Sequence, residues 1–449
     1  MAQGLQRHAL CSSLSHAPPH AIYYMIDPGL ILFVILLLLL IWRCITVRCL
    51  SSWLVSAHYC LILYAALFGL LVYGLVVFVG AGMFDGGSLA GEGTNNHERH
   101  GEKPPTTWLR LFCALSPLPL LLTLALCAFQ TWQHIAQIKQ GHAAEQHERV
   151  VMILALPAIY GIMALNALAH IYLAINVRSH EERAKVARQH SDTCFRIGEL
   201  YEAWVLYQFG KLTVELLRTS LANLATSAKS EEQRGTAQGL LVAQKAVESQ
   251  MWLGTWMFVV VCVLQSGWAC WMVTFATPES RASLAYTDAQ FAAAGVVASV
   301  AAIYNVHTVE WTFRGYLAGY SPFLKFLSVK VLVSIAFFQR GFFMFLKAFQ
   351  QTLPSMLGKV LPHMPVVRSV IALSGVEFEA FYAALILYEV FVIAALHSWA
   401  WNSKEEWYGE YSDHILEQTE SSPLLGSEVR DPFGASASCI GSKADRGIS

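Results

Sequence analysis

The chain has 449 residues, of which 55% are hydrophobic and only 14% are charged, and its formal net charge is -1. This apolar balance lies outside the range of soluble globular domains and indicates an integral membrane protein. A net charge so close to zero excludes the general basic surface that binds nucleic acid. The ten cysteines lack the paired spacing of a disulfide framework or a zinc site.

The N-terminal part of the chain predicts two membrane spans. Residues Met1–His20 are polar and do not resemble a cleaved signal peptide, and apolar runs follow at Gly29–Trp42, which Ile22–Tyr24 extends, and at Ala57–Val79. Arg43 directly follows the first run, which by the positive-inside rule places the N-terminus outside. The stretch 83–107 is rich in Gly, Asn and His and is typical of a flexible outside loop.

Seven further apolar stretches are long enough to cross a bilayer. They lie at about Leu109–Gln133, Val150–Ile175, Thr193–Leu217, Trp252–Thr277, Ala289–Trp311, Phe326–Phe349 and Ile371–Trp401. With nine spans and an outside N-terminus, the C-terminus is cytoplasmic. The connector Arg218–Gln250 has the composition of a partly helical cytoplasmic loop. We therefore predict an all-α fold, a polytopic membrane helix bundle.

The C-terminal tail, residues 402–449, is polar and Ser-rich and is predicted to be disordered. Within it, Glu420 stands four residues before the pair Leu424 and Leu425, with Pro423 directly before the pair. This pattern has the form of a dileucine sorting signal, which adaptor proteins read as an extended peptide. It also arises by chance, so the functional interpretation and the neutral one both stay open.

Several cysteines and histidines near predicted span ends allow two interpretations. Cys44 and Cys49 follow the first apolar run, where either palmitoylation or an unmodified thiol is compatible with the sequence. Histidines occur at His97, His100, His134, His142 and His147. No carboxylate or thiol arrangement completes a metal site around them, so solvated histidines are expected and no metal is predicted.

The span that begins near Asp192 and ends at Leu217 is unusual because it carries Glu199, Glu202 and Lys211. An ionisable side chain costs roughly 2.5 to 3.5 kcal/mol at the centre of a membrane helix. We therefore expect this helix to face protein or water rather than lipid.

Counting 1.5 Å per residue from the span ends sorts the buried charges into two layers. One layer holds Glu199, Glu202, Arg340, Glu377 and Glu379. The other holds Lys211, Asn305, His307, Glu310, Lys330 and Glu389. Each layer has both signs, which permits pairs such as Arg340 with Glu379 and Lys330 with Glu389. Such pairs either hold helices in register or bracket a polar cavity for an amphipathic solute.

No motif for catalysis is present. The sequence contains no Gly-rich phosphate loop, no nucleophile elbow and no HExxH pattern. The chain is therefore predicted not to be an enzyme, and no cofactor is expected. The lack of a nucleotide-binding motif also predicts that any transport runs downhill.

Four blocks of sequence resemble one known family. They are Gln146–Tyr160, Tyr201–Phe209, Pro322–Lys330 with Phe338 and Gln339, and Tyr388–His397. In this order they are similar to segments of the organic solute transporter alpha family, which includes the transmembrane protein 184 group. Lys211 departs from the family pattern, where a small or polar residue is usual, and Arg340 is an extra charge beside Gln339.

The resemblance implies a seven-span core, an outside N-terminus and a cytoplasmic C-terminus. The expected segments are an N-terminal segment outside, two additional N-terminal spans, a flexible loop, the seven-span core and the tail, at residues 1–28, 29–82, 83–107, 108–401 and 402–449. Family members from animals carry steroid conjugates and bile acids by facilitated diffusion with a single-span beta partner. Other members lie in endosomal or vacuolar membranes.

The expected function is facilitated diffusion or binding of amphipathic organic solutes such as sterols or bile-acid-like anions. The expected partners are the bilayer, the solute, a single-span beta-type protein or a second copy of the chain, and adaptors at the tail. The predicted solute path or polar network comprises Glu199, Tyr201, Glu202, Tyr207, Lys211, Asn305, Glu310, Lys330, Gln339, Arg340, Glu379 and Glu389. The alternative is a seven-span receptor or trafficking scaffold that transports nothing.

Overall fold

A computed structural model describes the following residues: 27–46, 52–80, 107–140, 144–176, 181–227, 230–317, 320–330, 339, 342, 345, 365–405 and 408. Within these residues all regular structure is helical and no strand occurs, which confirms the all-α prediction. The helices in chain order are α1 (Pro28–Thr46), α2 (Ser52–Gly80), α3 (Thr107–Leu115), α4 (Pro117–Lys139), α5 (Ala144–Leu154), α6 (Leu156–Asn176), α7 (Glu181–Ser227), α8 (Glu231–Phe275), α9 (Pro278–Thr312), a 3-10 turn (Arg314–Tyr316), α10 (residues 322–330), α11 (Pro365–Ile371) and α12 (Gly375–Ala400).

Side chains just before α8 and α12 fix where these helices begin. Ser230 accepts a hydrogen bond from the backbone N–H of Gln233, whose side chain accepts one from the N–H of Ser230. Ser374 and Glu377 form the same reciprocal pair at α12. Such a capping box satisfies donors that the first helical turn leaves without partners, and its N-cap residue contributes about 1 kcal/mol.

Contacts between helix ends define two faces of the bundle. At one end, Asp27 before α1 contacts His190 in the first part of α7. At the other end, His134 near the end of α4 contacts the carbonyl of Trp401, directly after α12. We call these ends the N-terminal face and the C-terminal face. Long helices that follow each other in the chain run in opposite directions between them, as expected of a polytopic bundle.

Helix α6 lies at the centre of the bundle. It packs against α2, α4, α7 and α12. Every residue from Gln146 in the preceding α5 to Tyr172 in α6 is buried. Its sequence is apolar around its whole circumference, which is the pattern of a fully enclosed helix. The outer helices therefore surround α6 on all sides.

Six candidate membrane spans are long and apolar enough to cross a bilayer, among the described residues. They lie at Ser56–Gly80, Thr107–Lys139, Ala144–Leu173, Glu231–Phe275, Tyr286–Thr312 and Gly375–Ala400. Three predicted spans are missing from this set. The first appears as the shorter apolar helix Pro28–Leu39, α7 carries too many charges, and most of Phe326–Phe349 lies outside the described residues. The count of nine spans stays a prediction.

Helices α7 and α8 extend beyond the apolar part of the bundle as an antiparallel pair. The extension, residues 218–227 of α7 and 231–250 of α8, is here called the stalk. Arg218 donates to Glu248 at 2.9 Å across it. The sequence predicts a partly helical loop here, and the structure shows that the helical part covers almost the whole connector.

The first residues after α12 pack on the C-terminal face. Ser403 and Tyr408 are buried, and Glu405 contacts Lys325 of α10. The folded part thus extends to Tyr408, past residue 402, where the sequence places the start of the disordered tail. The sorting-signal residues Glu420, Leu424 and Leu425 lie outside the described residues.

Candidate functional site

The centre of the candidate site is a buried ion pair between α7 and α10. Lys330 Nζ lies 2.7 Å from Glu202 Oε1, and the two side chains are 7% and 1% exposed. The same ammonium lies 5.6 Å from the centre of the Phe258 ring on α8. The second oxygen of Glu202, Oε2, is buried and has no hydrogen-bond partner among the described residues. Because both charged groups are removed from water, each is stabilised mainly by its attraction to the other.

The ion pair lies halfway between the two faces. Along α7, Glu202 is 12 residues from His190 at the N-terminal face and 13 residues from Glu215, which contacts Arg149 near the C-terminal face. At 1.5 Å per residue these separations are roughly 18 and 20 Å. The sequence-based assignment of Glu202 and Lys330 to opposite layers is therefore wrong. Thr193 marks the start of the apolar run, whereas the helix itself begins at Glu181, so Glu202 lies deeper in the bundle than the apolar run indicates.

A second polar contact joins Gln339 to α12. The Gln339 side-chain amide donates to Glu389 Oε1, and Glu389 Oε2 is buried without a hydrogen-bond partner among the described residues. The predicted pairing of Lys330 with Glu389 is therefore wrong, because each of these residues has a different partner. The predicted pairing of Glu379 with Arg340 is not tested, since Arg340 lies outside the described residues; Glu379 itself is buried.

The two predicted tyrosines of α7 have different environments. Tyr201 is buried and donates its hydroxyl hydrogen to the carbonyl of Met152 at 2.8 Å, which ties α7 to α5. Tyr207 lies among tryptophan rings at centroid distances of 5.0 to 5.4 Å. These are Trp204 on α7 and Trp252 and Trp256 on α8. Tyr207 thus contributes to the α7–α8 interface.

An apolar cleft lies beside the ion pair, between α1, α2, α7 and α8. Its cavity volume is about 50 Å³. Its lining is Phe33, Leu36, Leu37, Tyr59, Leu200, Tyr201, Trp204, Val259 and Val263. This volume is below the roughly 300 to 1,000 Å³ of small-molecule sites, so the lining accepts an apolar body only when the helices move apart.

The remaining predicted site residues lie away from the ion pair or at its edge. Lys211 is exposed on α7, whereas Glu199 is half-buried one helical turn from Glu202. Asn305 donates to the Gln250 carbonyl at 3.2 Å. Glu310 is buried with an oxygen 3.7 Å from Nδ1 of His307. The structure therefore does not gather all predicted residues into one network. Cys49 lies outside the described residues, and of Cys44 only the backbone is described.

A polar network at the C-terminal face was missed by the sequence reasoning. Lys325 is buried, donates to Glu405 at 2.7 Å and to the Tyr320 carbonyl at 2.9 Å, and lies over the Tyr320 ring. Next to it, Ser328 accepts from the Trp401 indole N–H at 3.1 Å, and its carbonyl contacts a ring nitrogen of His397 at 3.0 Å. Three of the six residues, Lys325, Ser328 and His397, lie in the blocks at Pro322–Lys330 and Tyr388–His397, so the resemblance is a signal for half of this network.

Two histidines at the C-terminal face correct a further prediction. His134 and His147 are both buried, and their Nδ1 atoms lie 2.8 Å apart. Tyr408 stacks on the His147 ring at a centroid distance of 3.9 Å. Burial raises the pKa of the Tyr408 phenol well above its usual value, so this ring is neutral. The prediction of solvated histidines is therefore wrong for this pair, although the described residues contain no cluster of three metal-ligating side chains.

A comparison with models of protein families shows to which family the chain is related. The sequence model of the organic solute transporter Ostalpha family matches residues 113–406. This chain belongs to the organic solute transporter alpha family. The matched part contains Glu202, Lys330, Gln339, Glu389 and Glu405, whereas α1 and α2 precede it. No curated protein and no solved structure gives a significant match.

Membership confirms the predicted family and gives the protein its general function. Together, the apolar helices and the transporter family indicate an integral, multi-pass membrane protein that transports organic solutes. The family is one of transporters and not of enzymes.

Proposed function

We propose that the protein carries amphipathic organic solutes such as bile-acid-like or sterol-derived anions down their concentration gradient. The observation that carries this proposal is the buried Glu202–Lys330 pair, halfway through the bundle. A charged side chain at the centre of a membrane protein is costly, and such residues commonly mark the path of a solute. A pair of opposite charges lowers this cost while keeping a cation at mid-depth.

The pair and the apolar cleft together suit a solute with an acidic end and an apolar body. Leu200 and Trp204 of α7 line the cleft, while Glu202 on the same helix faces Lys330. On α8, Val259 lines the cleft and the adjacent Phe258 contacts the ammonium. A solute that straddles these surfaces would place its acid at Lys330, in place of Glu202, and its body in the cleft, which must widen beyond its volume of about 50 Å³.

This exchange of partners needs no energy source. The solute anion replaces the Glu202 carboxylate beside the ammonium, so the number of buried pairs stays constant during passage. Glu202 would then need another partner, and protonation or solvent contact supplies it. Flux in either direction follows the gradient, in keeping with a sequence that has no nucleotide-binding motif.

The proposal extends to partners and location. The N-terminus lies outside and the C-terminus in the cytoplasm, in the plasma membrane or in an endosomal or vacuolar membrane. A single-span beta-type protein or a second copy of the chain completes the transporter. Adaptor proteins bind the tail at Glu420, Leu424 and Leu425, and palmitoylation of Cys44 and Cys49 anchors the end of the first span.

Flux into proteoliposomes tests the proposal. Purified protein, with and without a co-expressed single-span partner, is reconstituted and supplied with a radiolabelled bile acid, a steroid sulfate or a sterol. We expect downhill uptake that falls at least about tenfold in Lys330→Met, because removing the buried cation leaves the solute anion without a counter-charge. Glu248→Gln is the matched control, since it removes a carboxylate of the stalk pair and should leave uptake unchanged.

Two results would overturn the proposal. The first is normal uptake by Lys330→Met and Glu202→Gln proteins that fold and localise as the wild type does. The second is the absence of uptake for all three solutes in the wild type, with and without the partner. The second result would favour the receptor or scaffold alternative.

A further inference from the structure

Two buried ammonium groups on α10 follow each other from mid-depth to the C-terminal face. Lys330 and Lys325 are five residues apart on this helix, which at 1.5 Å per residue is about 8 Å along its axis. In both cases Nζ lies 2.7 Å from a carboxylate oxygen, of Glu202 for Lys330 and of Glu405 for Lys325. The pair at the C-terminal face thus repeats the arrangement of the pair at mid-depth.

The two members of the Lys325–Glu405 pair differ in their access to water. The Lys325 side chain is 2% exposed, whereas the Glu405 side chain is 24% exposed. The ammonium also donates to the Tyr320 carbonyl at 2.9 Å, and it lies 4.7 Å and 5.6 Å from the centres of the Tyr320 and Trp401 rings. A cation is therefore held in place beside two aromatic rings, and its carboxylate partner is the member of the pair that water reaches.

Glu405 lies in a short turn after α12 and not in a helix. Its Oε1 accepts the Asn402 backbone N–H at 3.2 Å, and its own N–H donates to the Asn402 carbonyl at 3.3 Å. Hydrogen bonds of an exposed turn open at low cost, because water replaces them. The Glu405 carboxylate can therefore leave Lys325 without the unwinding of α10 or α12.

A second buried cation at the C-terminal face has the same arrangement. Arg149 of α5 is buried and binds Glu145, which is exposed, and Glu215 of α7, which is half-buried. In both places the buried member is the cation and the more exposed member is a carboxylate. The C-terminal face thus has positive groups inside and negative groups towards the solvent.

We propose that Lys325 is a binding site for the acidic group of an amphipathic organic anion, and that Glu405 is a tethered carboxylate that occupies this site when no solute is bound. The inference deepens the proposed function and rests on it for the class of ligand. A carboxylate or sulfate that arrives at the C-terminal face replaces Glu405 at Nζ, so the buried ammonium keeps a counter-charge throughout.

The second site gives the solute path two positions along α10. The acidic group moves between Lys325 and Lys330, and at each position the local glutamate returns to the ammonium after the solute has left. A tethered carboxylate competes at a high effective concentration, so it lowers the affinity of the site for the solute. Glu405 thereby favours release of the solute at the C-terminal face.

Equilibrium binding of a tritiated steroid sulfate to the full chain in lipid nanodiscs tests the proposal. All variants carry Lys330→Met and Glu202→Gln as well, which removes the ion pair at mid-depth, so the site at the C-terminal face is measured alone. We expect Glu405→Gln to lower the Kd at least about fivefold, because glutamine keeps the shape but no longer competes as an anion. Lys325→Met should raise the Kd at least about tenfold, to that of the uncharged parent steroid.

A second measurement needs no substitution. In the wild-type chain, amide hydrogen exchange of a peptide covering residues 401–405 should become at least about threefold faster when the steroid sulfate is added, because Glu405 then leaves the turn. The uncharged parent steroid should not change this exchange. Peptides of the enclosed helix α6 serve as the internal reference.

Lys404→Met is the matched control, since Lys404 is the exposed neighbour of Glu405 and its loss should leave the Kd unchanged. The proposal is overturned by equal affinity for the sulfate and the parent steroid, by a Kd that Lys325→Met or Glu405→Gln leaves unchanged, or by exchange in the turn that does not respond to the sulfate. Binding at Lys325 without uptake of any solute would overturn only the proposed function. Uptake without binding at Lys325 would overturn only this inference.

Discussion

Replacing Lys330 by Met strands the Glu202 carboxylate in the middle of the bundle. At 2.7 Å and an effective dielectric constant of about 20, the gross attraction of the pair is about 6 kcal/mol. The desolvation of two side chains that are 1% and 7% exposed removes several kcal/mol per ion, so the net contribution of the pair is small. Removing one partner keeps the penalty and loses the attraction, which costs about 3 to 5 kcal/mol.

The double variant is expected to behave very differently from the single ones. Lys330→Met and Glu202→Gln should each lower the free energy of unfolding by about 3 to 5 kcal/mol, because each leaves the charge of the other residue buried without a partner. Lys330→Met combined with Glu202→Gln removes both charges and should lie within about 1 kcal/mol of the wild type. The measurement is reversible unfolding in mixed micelles, followed by tryptophan fluorescence.

The exposed stalk pair supplies the control for this cycle. Arg218 is 63% exposed at its side chain, so the same double-variant cycle on Arg218 and Glu248 should give a coupling of at most about 1 kcal/mol. A loss below about 1 kcal/mol in Lys330→Met would refute the reasoning. So would a double variant as unstable as the sum of its single changes, because the two charges would then not depend on each other.

Three further predictions concern packing, pH and a hydrogen bond. Gly198→Ala should lower the free energy of unfolding by about 1 to 3 kcal/mol, because its Cβ would lie 2.8 Å from ring atoms of Tyr160. Gly69→Ala, whose Cβ would have no atom within 4 Å, is the control and should not destabilise the protein. Unfolding in mixed micelles compares the two variants. The fold lowers the pKa of Asp27, so its stabilising contribution is present above its ordinary pKa near 3.9 and is lost as the pH falls through the lower value. In thermal unfolding at acid pH, the stability of the wild type should therefore fall more steeply than that of Asp27→Asn. Tyr201→Phe should cost about 0.5 to 1.5 kcal/mol in the same unfolding assay, since it removes the hydroxyl that bonds to α5, and an unchanged stability would contradict the role assigned to that bond.

Apolar runs in the sequence predicted where most helices lie, but not how far they extend. The run Thr193–Leu217 marks a part of α7, whereas the helix begins at Glu181 and ends at Ser227. Hydropathy reports the part of a helix that suits lipid, and polar helical turns beyond that part carry no apolar signal. Counting depth from Thr193 therefore places Glu202 too close to the N-terminal face.

Partner identity was the part of the site that the sequence could not give. Glu202 is buried and Glu389 is partly buried, and charge balance alone allows either carboxylate to pair with Lys330. The choice depends on which faces of α7, α10 and α12 meet, which is set by packing across more than a hundred residues of sequence. His134 and His147 show the same limit, since polar residues near helix ends can face water or each other.

The stalk continues two helices of the bundle, α7 and α8, beyond its apolar part. Helix α7 runs without interruption from the stalk past Glu202, and α8 runs from the stalk past Val259, so two of the four helices that line the cleft continue into the stalk. A continuous helix resists bending because sharp kinks need a proline, a bulge or a similar break. Spreading or twisting the two stalk helices would therefore act on the cleft from about 40 Å away, since Val259 lies 28 residues after Glu231 at about 1.5 Å per residue.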